Sequence, residues 1–299
     1  MANSPSLIQK RYSIVVSCFS RADLLETCLR SITTAEKFEL FNLIVVHQVG
    51  YQAVSEVLEK YKNEIDFKLE INSQLPTPLA NINWNRLVSY QIAFESLSSE
   101  FALGIEEDVE ISSDALGFAI WAHQKYKDKK DYRGVNLGSI AKNGDSSNYN
   151  LLRYGLHGQA GTITKATWHS LPHRLLKKRL LSHPLDGMFE PYLKTGFMVT
   201  PVRSKYVDRG WGGTHAPSDP SHKHYANVLD SFLNGTTLKY LESAYSPTPS
   251  WRADCRIYRK SLNFIYRALN LINLAGLKYN QPFLFKLTGK FESYLALKD

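Results

Sequence analysis

Apolar positions in the first hundred residues follow two rhythms: short unbroken runs, and longer stretches spaced by three and four residues. The run Ser13–Phe19 (SIVVSCF) is compact and β-branched, which predicts a strand. Leu24, Leu25, Cys28, Leu29 and Ile32 then recur at helical spacing, and Ser20, with Asp23 three residues on, reads as the helix start. Asn42–His47 predicts a second strand, Gln52–Tyr61 a second helix and Phe67–Ile71 a third strand. That β-α-β-α-β order predicts parallel strands joined by right-handed helical crossovers. Trp84–Leu97 predicts a helix in which Leu87, Val88, Gln91, Ala93 and Phe94 form only a partial stripe. It delivers the chain to Phe101–Ile111 (FALGIEEDVEI), an apolar strand that runs into Glu106, Glu107 and Asp108. Arg133–Ile140 predicts a further strand, and 141–150 (AKNGDSSNYN) has the composition of a surface loop.

The three consecutive carboxylates are the strongest chemical signal. A strand apolar on both faces belongs to a helix-covered parallel sheet, which binds ligands outside the carboxyl ends of its strands. Adjacent carboxylates repel, and Mg²⁺ or Mn²⁺ shared with nucleotide phosphates is one way to hold them together. The competing reading is that the acids open the helix of the following SSDALGFAIWAHQKY, because acids favour a helix N-terminus. Asn85 and Arg86 stand where a ligand at the strand end could be reached, although a solvated helix face is the commoner fate of such residues. Neither GxGxxG nor GxxxxGK[ST] follows the first strand, which disfavours a dinucleotide fold and a P-loop.

Composition narrows the partners. The 299 residues suffice for one large domain or two small ones, and a formal charge of +8 favours anionic partners. Cys18, Cys28 and Cys255 lack CxxC spacing, so they read as small buried residues of a protein in a reducing compartment. No apolar run suggests a leader or a membrane span, which predicts a cytoplasmic protein. A second region rich in possible chemistry holds Asp186, Glu190, Arg203, Lys205, Asp208, Arg209, His215, His222 and His224. His222 and His224 lack supporting ligand spacing, whereas His215 sits among glycines that let backbone approach a phosphate. Residues 251–299 carry nine Lys or Arg against three Asp or Glu, interleaved with aromatic and aliphatic residues. That segment reads as a basic C-terminal helical extension, either packing on the core or resting on an anionic membrane surface. The bases form no recognisable nucleic-acid-binding pattern, so nucleic acid is not an expected partner.

Together, IVVSCFSR, LIVVHQVG, IEEDVEISSDAL and the LDGMFEP to GGTHA region resemble, in that order, glycosyltransferases of the GT-A fold, and most of all the family of the eukaryotic N-acetylglucosaminyltransferase I. The resemblance spans about Ser13 to His215. It implies a GT-A catalytic domain over 1–250, an α/β fold with a mainly parallel sheet flanked by helices. It implies Mn²⁺ or Mg²⁺ held by Asp108, with Glu106 and Glu107 facing a nucleotide-diphosphate sugar. Arg21 would contact the nucleotide base; Gln48 stands where the family carries an Asp that reads uracil. Asp186 is the counterpart of the catalytic base, with Glu190 in reserve. Arg86 and His215 join the expected donor-binding set. The implied reaction is inverting transfer of a sugar, such as N-acetylglucosamine, to a glycan or lipid-linked acceptor in surface polysaccharide synthesis. The enzyme would lie in the cytoplasm, peripheral to the inner face of a membrane. Two other readings remain: a sugar nucleotidyltransferase, whose glycine-rich loop after the first strand SCFSRADLLE lacks, and a non-catalytic glycan-binding relative.

Overall fold

The computed structural model describes residues 10–72, 78–138, 149–152, 160–171, 173, 193, 195–201, 204–210, 253–257 and 264. The first strand, β1 (Tyr12–Cys18), is followed by α1 (Ala22–Thr33), β2 (Phe41–Gln48), α2 (Gln52–Lys60) and β3 (Phe67–Ile71). β1 pairs in parallel with β2, and β2 with β3. Next come α3 (Pro78–Gln91), continued by a π-helical turn over Ile92–Ser96, and β4 (Phe101–Glu106). β4 pairs in parallel with the other side of β1. The sheet order is therefore β3-β2-β1-β4, and β8 (Ala160–Thr164) closes it antiparallel to β4.

This order reverses direction between β1 and β4. The chain winds from β1 toward β3 on one side, then returns to place β4 on the other. In open α/β sheets such a switch point leaves a crevice at the carboxyl ends of its two strands. Here those ends carry Cys18 and Phe19 on one side and Glu106 to Asp108 on the other.

Alternation along the strands divides the core into two layers. Ile14, Val16, Leu43, Val45, Leu103 and Ile105 pack against Leu25, Leu29 and Ile32 of α1, Val54 and Leu58 of α2, and the helix α4 (Ala115–Tyr126). Val15, Ile44, Val46 and Ala102 face Leu87, Tyr90 and Phe94 on the other side, with Trp168 of α5 (Lys165–Ser170). Gly104 makes room for the Tyr90 side chain, which reaches from α3 over β4. A Cβ there would lie 2.2 Å from the Tyr90 hydroxyl, so a side chain at 104 would displace the Tyr90 ring. Tyr90 and Arg86 are four residues apart and share a helix face, so this packing carries Arg86 toward the end of β4.

Beyond Glu106 the chain does not enter a helix. Glu107 and Asp108 form a turn, and β5 (Val109–Ile111) pairs antiparallel with β10 (Tyr206–Asp208). The acids therefore do not open α4, which begins at Ala115 after Asp114. A second sheet joins β6 (Tyr132–Val135), β7 (Tyr149–Leu152), β9 (Phe197–Pro201) and β11 (Ala253–Ile257) in the order β11-β7-β9-β6. Within the segment expected to be helical from 251, Ala253–Ile257 is thus extended and paired with β7. No helix among the described residues is long and apolar enough to cross a membrane.

Candidate functional site

The β1–α1 loop reaches across the switch point to the acids. Phe19 N–H donates to Glu107 Oε2 at 2.7 Å, and Arg21 Nε donates to Glu107 Oε1 at 2.8 Å. Both oxygens of this buried carboxylate are thus engaged within the chain. The same guanidinium extends Nη1 to Asp108 Oδ2 at 2.7 Å. Burial opposes the Arg21 charge, but the hydrogen bond to Glu107 and the charge of Asp108 outweigh it and push its pKa above the usual arginine value. This explains a departure from the sequence pattern. α1 starts at Ala22 with Arg21 at its cap and no side-chain cap hydrogen bond, so Ser20 does not cap it.

Glu106, a third exposed, meets Arg86 Nη2 at 3.1 Å through Oε1. Behind Arg86, Asn85 Oδ1 accepts from Gln48 Nε2 at 2.9 Å, and both residues are buried. Gln48 ends β2, Glu106 ends β4 and Arg86 lies on α3, so one strand-end crevice gathers Arg21, Gln48, Arg86, Glu106, Glu107 and Asp108.

Asp108 is held from the opposite side by β10. Its carbonyl accepts from Arg209 N–H at 2.7 Å, while Arg209 clamps Glu110 Oε2 with Nε and Nη2, each at 2.5 Å. Gly210 N–H donates to Asp208 Oδ1 at 2.7 Å. A Cβ on Gly210 would lie 2.1 Å from Asp108 Oδ2 and 3.0 Å from Asp208 Oδ1, so the two carboxylates converge on the space that the glycine leaves open. Asp208 lies in the second region rich in possible chemistry, and its place beside Asp108 depends on pairing between segments a hundred residues apart.

Asp108 Oδ1 is buried and has no hydrogen-bond partner. Leaving such an atom unsatisfied costs about 1–3 kcal/mol, more when it is charged. Among the described residues no group of three or more His, Cys, Asp or Glu is arranged to hold a metal ion. Mg²⁺ nevertheless commonly takes only one or two protein carboxylates and completes its shell with phosphate and water. Asp108 Oδ1 is the oxygen left over for a cation shared with bound phosphates, while Asp108 Oδ2 is held by Arg21 and Asp208 Oδ1 by Gly210 N–H.

Beneath the site, Cys28 Sγ–H points to Glu106 O at 3.5 Å, and burial pushes the thiols of Cys28 and Cys18 up. Both read as packing residues. His47, also buried, has neither ring nitrogen hydrogen-bonded, and burial lowers its pKa despite Glu70 nearby. Asp186, Glu190 and His215 lie outside the described residues.

No protein family and no curated protein matches the sequence. Among solved structures, S. aureus TarS 1-349 aligns with a TM-score of 0.47 and 12% identity over 79% of this chain and 70% of that one. Its complex with UDP-GlcNAc aligns with a TM-score of 0.48 and 15% identity over 78% and 70%. The mannosyltransferase PcManGT from Pyrobaculum calidifontis, in complex with GDP-Man and Mn²⁺, aligns with a TM-score of 0.45 and 14% identity over 94% and 84%.

Proposed function

We propose that this protein is a metal-dependent glycosyltransferase that moves a sugar, N-acetylglucosamine among the candidates, from a nucleotide-diphosphate donor to a glycan or lipid-linked acceptor. The observation that carries the reading is Asp108: a buried carboxylate at the end of a central parallel strand, at the switch point, with one oxygen unpartnered. A helix-covered parallel sheet binds nucleotides at this edge, and a lone free carboxylate oxygen suits a cation whose remaining ligands come from a diphosphate.

In this reading Asp108 holds Mn²⁺ or Mg²⁺, which when bound neutralises the charge that develops on the departing phosphates. Arg21 and Arg86 supply positive charge on the nucleotide side, where donors fixed in advance stabilise a leaving anion without reorganising. Glu107 fixes Arg21 and the β1–α1 loop by its two hydrogen bonds. Gln48 and its partner Asn85 border the place for the base, Glu106 borders the sugar, and His215 completes the donor set. Asp186, with Glu190 in reserve, takes the proton from the acceptor hydroxyl as it attacks, and attack opposite the leaving group inverts the anomeric centre. The basic segment 251–299 would bring the catalytic domain to an anionic membrane face on the cytoplasmic side, where a lipid-linked acceptor for surface polysaccharide is presented.

Thermal unfolding in the presence of nucleotides and nucleotide sugars, with and without Mn²⁺, tests this. A ligand at a hundred times its Kd adds about 2.7 kcal/mol to the folded state. The proposal requires a nucleotide sugar that stabilises the chain only with the cation. A chain indifferent to every UDP-, GDP- and other nucleotide sugar under both conditions would refute it.

A further inference from the structure

The central sheet ends at β3, whose outer edge pairs with nothing among the described residues. Ile71 O accepts from Val49 N–H at 3.1 Å, so the backbone of Ile71 turns toward β2. By alternation Phe67 and Leu69 turn the same way, and the N–H and C=O groups of Lys68 and Glu70 point outward. A row of open donors and acceptors is a template for another strand.

The side chains alternate as well. Leu69 and Ile71 are half-buried against the α3 layer, and Phe67 follows them on that face with 37% of its surface exposed. Lys68 and Glu70 stand on the opposite face, both exposed. Neither has an ion-pair partner among the described residues. Lys68 senses Glu59, which is itself paired with Lys62, and Glu70 senses His47.

Charges on an edge strand commonly keep other chains away. Their order here does the opposite for one partner. FKLEI alternates apolar and charged positions symmetrically about Leu69, with the two charges of opposite sign. In an antiparallel pair of two copies centred on Leu69, each Lys68 stands opposite the other copy's Glu70 and each Phe67 opposite the other copy's Ile71. The outward backbone groups of Lys68 and Glu70 then exchange closely spaced hydrogen bonds. Other registers fail. Centring on Lys68 or on Glu70 opposes like charges, and a slip of one residue sets apolar positions against charged ones.

We propose that this edge joins two copies of the chain by antiparallel β3–β3 pairing, which makes one continuous sheet across a two-fold axis. Such an axis needs a patch complementary to itself, and the strand about Leu69 is one. A single pair of short strands is a small interface, so the dimer is weak, with a Kd of about micromolar or above. In the order β3-β2-β1-β4, β2 separates this edge from the switch point. The crevice therefore stays open in the dimer, and association needs neither donor nor cation.

The experiment is sedimentation velocity of the full chain from about 1 to 200 μM, spanning the expected Kd, without nucleotide or metal. The native chain should pass from monomer to dimer. Lys68→Glu sets two acids against two acids, and Glu70→Lys two bases against two bases. Each alone should weaken the Kd about tenfold or more, with an unchanged circular dichroism spectrum. An equimolar mixture of the two variants restores opposite charges at both positions and should associate as the native chain does, as should Lys68→Glu/Glu70→Lys. A native chain that stays monomeric throughout would overturn the proposal. So would single variants that associate as tightly as the native chain, or a mixture and a double variant that associate no better than the single ones.

Discussion

Arg21 and Asp108 are joined at 2.7 Å, Nη1 to Oδ2, and the same guanidinium reaches Glu107 through Nε at 2.8 Å. One cation from the β1–α1 loop therefore pairs with two of the three acids that end β4, while Arg86 answers the third, Glu106. Adjacent carboxylates left alone would raise one another's pKa. Two arginines supply part of this compensation from within the chain, one positive charge short of the three acids, and Asp108 Oδ1 is left over.

Replacing Arg21 by Ala strands Glu107 and Asp108 as buried charges. Chemical denaturation should show a loss of about 1–3 kcal/mol, kept moderate by the partial exposure of Arg21. Arg21→Lys should recover less than half of it, because an ammonium does not reproduce the fork that spans both acids. Millimolar Mn²⁺ should stabilise the Ala variant more than the native chain. An unfolding midpoint unmoved by Arg21→Ala would count against this pairing.

Gly210→Ala places a methyl group 2.1 Å from Asp108 Oδ2. Because the obstacle is a rotatable carboxylate, the fold should survive with a loss of about 1 kcal/mol or less. The carboxylate must nevertheless turn aside, so sugar transfer should fall by about tenfold or more. Circular dichroism with initial rates checks both, and a variant as active as the native chain would show that the Gly210 gap is not used.

Lys205 is wholly buried, with Nζ 2.7 Å from Asp114 Oδ2, and Ser112 Oγ donates to Asp114 Oδ1 at the same distance. This pair pins β10, and with it Asp208 and Gly210, to the start of α4. Lys205→Met should cost about 3–5 kcal/mol by urea unfolding, and Lys205→Met/Asp114→Leu should recover most of that, since it removes both charges together.

Much of this was legible in the sequence, because β1, β2 and α1 are apolar runs at clean spacing. α3 was harder. Its buried face includes Asn83, Asn85 and Arg86, which pattern reading places in solvent, and its start at Pro78 precedes the expected Trp84. FALGIEEDVEI reads as one strand, but the turn at Glu107 and Asp108 splits it in two. What divides it is pairing with Tyr206–Asp208, a contact that no local window contains. Lys205 read as possible chemistry and proves to be a buried strut for the same reason.

His47 and His123 both have pKa values lowered by burial. Glu70 and Lys68 face the first; Glu100, Lys127 and Arg11 face the second. Burial in the fold disfavours the charged form of both rings, whereas the unfolded chain protonates them near pH 6.5. Stability should therefore be fully present above about pH 6.5, decline as pH falls below it, and level off beneath the folded-state values. Glu100, held low by Arg11 against its own burial, is lost only in a more acidic window. Melting temperatures between pH 8 and 5 should show this slope, and His47→Leu should flatten it; a flat native profile would contradict the account.

The most direct measurement is the rate of nucleoside-diphosphate release from a nucleotide sugar and acceptor, in the presence of Mn²⁺, for the native chain and for Asp108→Asn at matched folding. Loss of the carboxylate oxygen that would meet the cation should lower the rate by about a hundredfold or more, with the melting temperature little changed. A folded Asp108→Asn chain that turns over at the native rate would contradict the central claim.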